Sequence, residues 1–468
     1  MRELSHKILN ETSVAIRRRP RLSNRTNQVG LGASKYVVSR RKAPSLNLSS
    51  LCLAANVSYC VTMSQLALVS WVATLVVAVL GATLRSRTYG IFRGVILSIY
   101  TLIALAIAPA VQGLVIAFDE RALWLLQYAH MTVYVDSLFL IRPRMRAFWY
   151  RPLISYPAMY LLASVLLSLP WALLAPFGVP LYGVWLPFAC CLFGFVQSVT
   201  TRTEQHSVVV GNVEKISGVS RLALVKGKGN APNDSKKVLR IVQITDPHLG
   251  PFMSVARLRK ICERAVAQEP DLILLTGDFL TMESQARVEW LIDALEPLKN
   301  YSGRTFACLG NHDHEAITVV KQALADVGVA LLVDDSTVVS TPAGKVQIVG
   351  YDFHFTRRAE RTQQMEREHP RMAGALRLIL LHDPGAFRHL SDGDADLVLS
   401  GHTHGGQVGL VSLGLPWTMV YALAKVPDHS LWAQGSNRMY VHRGTGHYGF
   451  PLRLGVSAEE SVLSVYRT

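Results

Sequence analysis

The apolar residues of this chain follow two different patterns. Residues 64–84 (SQLALVSWVATLVVAVLGATL) and 95–117 (VILSIYTLIALAIAPAVQGLVIA) carry no charge over a length that spans a bilayer as a helix. A third run, about 122–141, is interrupted by His130 and Asp136, and two more follow at about 153–174 and 179–199, each containing Pro and Trp. One such run could be the buried helix of a soluble core, but this many in close succession predict an all-α multi-pass transmembrane domain of four to five helices over 64–200. Beyond residue 238 the pattern changes. Short apolar runs (LRIVQIT, DLILLTG, RTFACLG, KVQIVGY, LRLILLH, ADLVLSG) alternate with helix-compatible segments (SVARLRKICERAVAQ, ARVEWLIDALEPL, EAITVVKQALADV), which predicts an α/β domain over 238–468 with its sheets covered. Residues 201–237, ending in GKGNAPNDSKK, are expected to be a linker. Residues 1–63 lack sustained periodicity and are expected to be a disordered extension.

Charge refines this division. The formal net charge is +15, and residues 1–63 supply eleven Lys or Arg against Glu3 and Glu11, a net +9. The basic pI of about 9.6 therefore belongs mostly to the tail and gives no reason to expect nucleic acid at the folded part. The tail composition also fits a targeting peptide, or translation starting at Met63. Six cysteines (Cys52, Cys60, Cys190, Cys191, Cys262, Cys308) form no CxxC pair and no framework spacing, so no disulfide scaffold is indicated. Arg85, Arg87 and Arg93 follow the first apolar run, and Arg142, Arg144, Arg146 and Arg151 follow the third. With five spans, this asymmetry places the C-terminal domain in the cytoplasm; with four the assignment changes, and the basic tail fits the five-span case only if Met63 is the start. Asp136 is read as a residue at the membrane interface rather than a functional charge within a span.

Chemistry-bearing residues follow the ends of the expected strands, where α/β sheets place their ligands. Asp246-Pro247-His248 follows LRIVQIT, Asp278 ends the next block, and Asn311-His312-Asp313-His314 follows RTFACLG. LRLILLH ends on His382, followed by Asp383, and ADLVLSG leads into His402-Thr403-His404. Two aspartates, one amide oxygen and four imidazoles are the mixed N/O set that suits two divalent ions such as Mn, Fe or Zn. Such a pair lowers the pKa of a bridging water and neutralises charge on phosphoryl oxygens. Taken alone, HTH could also be a fragment of a mononuclear zinc site, the lesser reading. Gly405, Gly406, Gly444 and Gly446 are expected to let the backbone approach a metal or phosphate. His314, His354, Asp383, His442 and His447 are secondary candidates.

The blocks DPHLG, GD, GNHDH, the His of LLHDPG and GHTHGG, in that order, resemble those of the calcineurin-like metallophosphoesterase superfamily. The resemblance covers about residues 238–468 and implies a four-layer α/β/β/α sandwich. It implies that Asp246, His248 and His404 hold one metal, that Asn311, His382 and His402 hold the other, and that Asp278 bridges them. His312 inherits the role of general acid or transition-state stabiliser. Two departures stand out: Pro247 sits between the first ligands, and GDFLTME lacks the second Asp of the protein-phosphatase block GDxxDRG, whose carboxylate partners the catalytic His. GHTHGGQ, HRGTGHYGFPLRLG and the upstream apolar runs resemble the branch of transmembrane proteins with a metallophosphoesterase domain, whose relatives include hydrolases of UDP-2,3-diacylglucosamine. The implied activity is hydrolysis of a phosphoester or pyrophosphate bond, on a phosphorylated small molecule or a lipid-linked substrate at the bilayer. A nuclease or cyclic-nucleotide phosphodiesterase, and a membrane sensor or transporter with a regulatory phosphoesterase domain, are the alternatives.

Overall fold

The computed structural model describes residues 48–119, 121–222, 225–226, 236–447 and 452–468. Val61–Thr468 forms one compact unit. The expected disordered extension lies outside the described residues up to 47, and from Leu48 onward its backbone already belongs to a helix.

The N-terminal helices are α1 (Leu48–Leu84), α2 (Arg87–Phe118), α3 (Ala122–Phe139), α4 (Tyr156–Leu167), α5 (Leu169–Leu174) and α6 (Leu186–Val199). Ser86 ends the first turn of chain between α1 and α2 and caps α2, its hydroxyl accepting from the Tyr89 amide at 3.1 Å. Between α4 and α5 the axis bends by 49°. Pro170 explains the break, because it has no amide to donate and its ring crowds the preceding turn. Among the described residues, two helices, with limits Ser64–Leu84 and Arg87–Ala117, are long and apolar enough to cross a membrane, or three if the bent pair is one span. α6 has 14 residues, about 21 Å at 1.5 Å per residue, and is short for a ~30 Å hydrocarbon layer.

The bundle packs Val77, Leu97, Ile107, Val133 and Leu161 inside, while Leu68, Leu75, Leu102, Leu125 and Phe193 remain exposed outside. Polar groups inside are paired. His130 bonds Ser70 and Tyr100 at 2.8 Å each, and Asp136 accepts from Tyr150 (3.1 Å) and Ser155 (3.0 Å).

The C-terminal part is built from strands β1 (Thr201–Val210), β2 (Ile216–Arg221), β3 (Val225–Lys226) and β4 (Lys236–Ile244), helix α7 (Val255–Val266), β5 (Leu272–Leu275), α8 (Val288–Leu295) and β6 (Thr305–Ala307). There follow α9 (Ile317–Asp326), β7 (Ala330–Leu331), β8 (Asp335–Thr341), β9 (Gly344–Gly350), α10 (Arg358–Glu368), β10 (Leu376–Leu380) and β11 (Leu397–Ser400). The chain closes with α11 (Met419–Ala424), β12 (Ser430–Gly435), β13 (Asn437–Val441) and β14 (Ala458–Arg467). One seven-stranded sheet has the order β3-β1-β14-β4-β5-β6-β7, and the other β2-β12-β13-β11-β10-β9-β8.

The inner faces meet in a continuous core that includes Val208, Ile241, Leu274, Ile348, Leu378, Leu399 and Tyr440. α7, α8 and α9 cover the outside of the first sheet through Leu258, Leu291 and Val320, and Met365 of α10 packs on the outside of the second. The layers are thus α/β/β/α. The expected linker is corrected here: residues 201–210 are β1, paired along its whole length with β14, and residues 216–221 are β2, paired with β12. Their polar composition reflects partial exposure: Thr201–Gln205 of β1 are half-buried or exposed while His206, Ser207, Val208 and Val210 are buried, and β2 is the edge strand of its sheet. Of GKGNAPNDSKK, residues 227–235 lie outside the described residues.

Candidate metal centre

Parallel pairing of β4, β5 and β6 in one sheet, and of β9, β10, β11 and β13 in the other, directs two sets of strand ends to the same place. The first sheet delivers Asp246, His248, Asp278 and Asn311, and the second His382, His402 and His404. Six of these seven form two tight groups, Asp246–His248–His404 and Asp278–His382–His402, with potential ligand atoms within 4.8 Å of one another in each. In the first, His248 Nε2 lies 3.2 Å from His404 Nε2, and His404 Nε2 lies 3.3 Å from Asp246 Oδ1. Asp278 Oδ2 faces both groups, at 3.3 Å from His382 Nε2 and 3.5 Å from His248 Nε2. Asn311 sits in the same loop as His312, whose amide donates to Asp278 Oδ1 at 2.8 Å; its own Oδ1 is buried without a hydrogen-bond partner.

The electrostatics suit cations. Burial pushes His248 down to about 3 and His402 to about 4, and holds His404 well below the usual imidazole range, so their nitrogen lone pairs are available. Burial alone would also depress His382, but the Asp278 and Asp246 carboxylates beside it raise it to about 10. Burial would raise Asp278, and the same His382 pulls it far down instead. Asp246, fully buried, is pushed up to about 6. A buried oxygen with no donor, three neutral imidazoles and a carboxylate held by an imidazolium are what a pair of divalent cations would satisfy.

Backbone geometry is specialised in the same places. Asp246, His248, Asp278, His402 and His404 all have positive φ, between 45° and 70°. Left-handed backbone at a non-glycine residue costs of order 1–3 kcal/mol and tends to collect at functional sites. Gly310 and Gly401 are needed for close approach: a Cβ would lie 2.3 Å from Asp278 Oδ1 and 2.2 Å from Asp246 Oδ2 respectively.

The family model for calcineurin-like phosphoesterases matches residues 239–406. Phosphodiesterase YaeI of Escherichia coli (strain K12) is 30% identical over 237 residues, covering 50% of this chain and 84% of that protein. The chain belongs to the calcineurin-like phosphoesterase family. It is a metal-dependent phosphohydrolase, and the family works with two divalent metal ions. UDP-2,3-diacylglucosamine pyrophosphatase LpxG of Chlamydia trachomatis serovar D is 28% identical over 265 residues, covering 44% of this chain and 78% of that protein. Uncharacterized metallophosphoesterase YkuE of Bacillus subtilis (strain 168) is 29% identical over 233 residues, covering 49% and 79%.

Within this calcineurin-like site, two carboxylates lacked an assigned role in the sequence. His312 stands beside the first metal group, its ring 5.5 Å from that of His248, and its Nδ1 lies 2.8 Å from Glu315 Oε1. Glu315 lies three residues after the histidine, in the short turn Asp313–Ala316, a spacing that could have revealed it. Asp313, fully buried, accepts from the amides of Asp278 (2.7 Å), Phe279 (2.8 Å) and Gly310 (2.8 Å). It thereby fastens the GD loop to the GNH loop.

Among the secondary candidates, His314 pairs with Asp352, His354 lies beside Arg361, and Asp383 caps the following turn and meets Arg358. His442 accepts from the Gly444 amide, and His447 packs on Phe252. Of the four glycines singled out by sequence, Gly446 is required by close approach, since a Cβ would lie 2.2 Å from the Pro247 carbonyl oxygen.

Proposed function

We propose that this chain is a membrane-anchored two-metal phosphoesterase that hydrolyses a phosphoester or pyrophosphate bond of a lipid-linked substrate. The observation that carries the reading is Asp278 Oδ2, shared between two three-residue groups of buried ligands. In this reading Asp246, His248 and His404 hold one ion, Asn311, His382 and His402 hold the other, and Asp278 bridges them. Ions so held would supply an acidified water and neutralise charge on the phosphoryl oxygens. In the same reading His312, hydrogen-bonded to Glu315, donates a proton to the leaving oxygen or binds the phosphoryl group.

The lipid-linked substrate is inferred from two supports. LpxG, by its name, cleaves a diacylated nucleotide sugar, and the catalytic domain here adjoins helices of membrane-span composition. The multi-pass, cytoplasm-facing arrangement belongs to the same reading. Arg85 contacts Leu140 and Met282, and Tyr156 stacks on Phe252, so both arginine-rich turns share the bundle end that meets the phosphoesterase domain.

The test uses full-length protein in vesicles with Mn²⁺, assayed against a soluble phosphodiester, a phosphomonoester and a vesicle-embedded UDP-linked glycolipid. Turnover of the glycolipid well above that of the soluble compounds is expected. Asp278→Ala should lose bound metal and turnover together; full activity in that variant would sink the two-metal assignment.

A further inference from the structure

Outside the N-terminal bundle, the large apolar side chains left exposed are few and concentrated. Leu410, Leu413, Leu415, Trp417, Met419 and Leu423 account for all but Val338 and Phe355 among the described residues of the phosphoesterase domain. Leu413 and Leu423 are 75% and 79% exposed. The stretch that carries them, residues 405–424 (GGQVGLVSLGLPWTMVYALA), has no charged residue, and Lys425 ends it.

The segment is held in one shape. The Leu410 amide donates to the Trp417 carbonyl at 2.9 Å, and Met419 donates to Val408 at 2.9 Å, closing a narrow loop. Thr418 caps α11 and bonds the buried Asp428. An ordered loop that keeps six large apolar groups in water forgoes on the order of 25 cal/mol for each Å² it could bury, so such a patch marks a contact surface.

Its position identifies the contact. Gln197, in the last turn of α6, donates to Ser412 Oγ at 3.2 Å and accepts from the Gly455 amide at 2.8 Å, while Ser412 donates its amide to Gly455 at 2.8 Å. The loop therefore stands beside the end of an apolar helix whose Phe193 and Val196 are themselves exposed. Apolar tips with a tryptophan, no charge, and a lysine at the margin are the composition of a segment seated at a membrane interface.

We propose that residues 410–423 dip into the interfacial layer of the bilayer that holds the helices, so that the phosphoesterase domain touches lipid through its own surface. The inference rests on the membrane-anchored reading above and adds a second contact to it.

The experiment places the photoreactive residue p-benzoylphenylalanine at Leu413, at Leu423 or at Val338, which lies on the far edge strand β8 of the second sheet. Each full-length variant is reconstituted in phosphatidylcholine–phosphatidylglycerol vesicles, irradiated and examined by mass spectrometry. Phospholipid adducts at positions 413 and 423 at least fivefold above position 338 are expected. Adducts no more frequent than at 338, or cross-links to a second copy of the chain instead of lipid, would overturn the proposal. Hydrolysis of a vesicle-embedded UDP-linked glycolipid by the same preparations separates the two readings: its absence counts against the proposed activity, whereas the adduct pattern alone decides the loop.

Discussion

With no cation bound, His382 and Asp278 form a buried ion pair with the proton on the imidazole, because each shifts the other toward its charged form. A metal ligand must present a lone pair, so binding has to expel that proton. His382 is held protonated up to about 10, hence across neutral pH, and metal affinity should rise with pH through the neutral range. Calorimetry of Mn²⁺ binding in buffers of different ionisation enthalpy should show release of about one proton; a heat independent of buffer would contradict it.

Glu315 acts on His312 in the opposite sense to a metal, raising the imidazole by its hydrogen bond against the lowering effect of burial. Glu315→Gln should therefore move the alkaline limb of the kcat/KM profile to lower pH and reduce kcat roughly tenfold, less than the ~10²–10⁴-fold that a general acid–base group itself contributes. KM and metal content should stay unchanged. A variant with the parental pH profile would leave Glu315 without the positioning role.

The elements that position these residues were not equally legible. β5, β6, β10 and β11 are buried along their whole length, and β4 and β9 over their C-terminal parts, so each appears in the sequence as a mostly apolar run, interrupted by polar residues such as Arg240, Gln243, Gln347 and Arg377, that leads into Gly, Asp or His. The candidate ligands were visible for the same reason, since each follows such a run by a few residues. β1 and β2 went unread because TRTEQHSVVV and ISGVSR are only partly buried, and α10 because RAERTQQMERE buries little beyond Thr362 and Met365. Asp313 was visible in GNHDH, but its task, joining two loops through three backbone amides, depends on a long-range approach that no local pattern encodes. Asp313→Ala should leave those buried donors unpaired, each worth about 1–3 kcal/mol. A fall in Tm together with weaker metal binding is expected, measured by calorimetry with and without Mn²⁺; an unchanged Tm would refute the role.

At the scale of the whole molecule, the apolar helix α6 and the candidate metal centre are joined through one buried arginine. Arg453 receives support from α6, its amide donating to Ser198 Oγ at 2.8 Å. Its fully buried guanidinium reaches the carbonyls of His404 (3.1 Å), Arg443 (2.8 Å) and Gly446 (2.5 Å). Arg453→Met should strand those carbonyls and loosen the His404 group before the Asp278 group. Two-step metal titration should show one affinity weakened at least tenfold and the other nearly kept; equal loss at both would place the arginine's effect elsewhere.

The junction of α6 and β1 also limits what this hydrolase can reach. α6 ends at Val199 and the first sheet begins at Thr201, leaving one residue between them. With the membrane anchoring proposed above, a domain on so short a leash would not swing toward an opposing vesicle or follow a substrate into bulk water. It would work at a fixed height, on whatever diffuses laterally beneath it. Substrate lipid placed in separate vesicles should therefore be spared, while the same lipid sharing the enzyme's own bilayer is consumed.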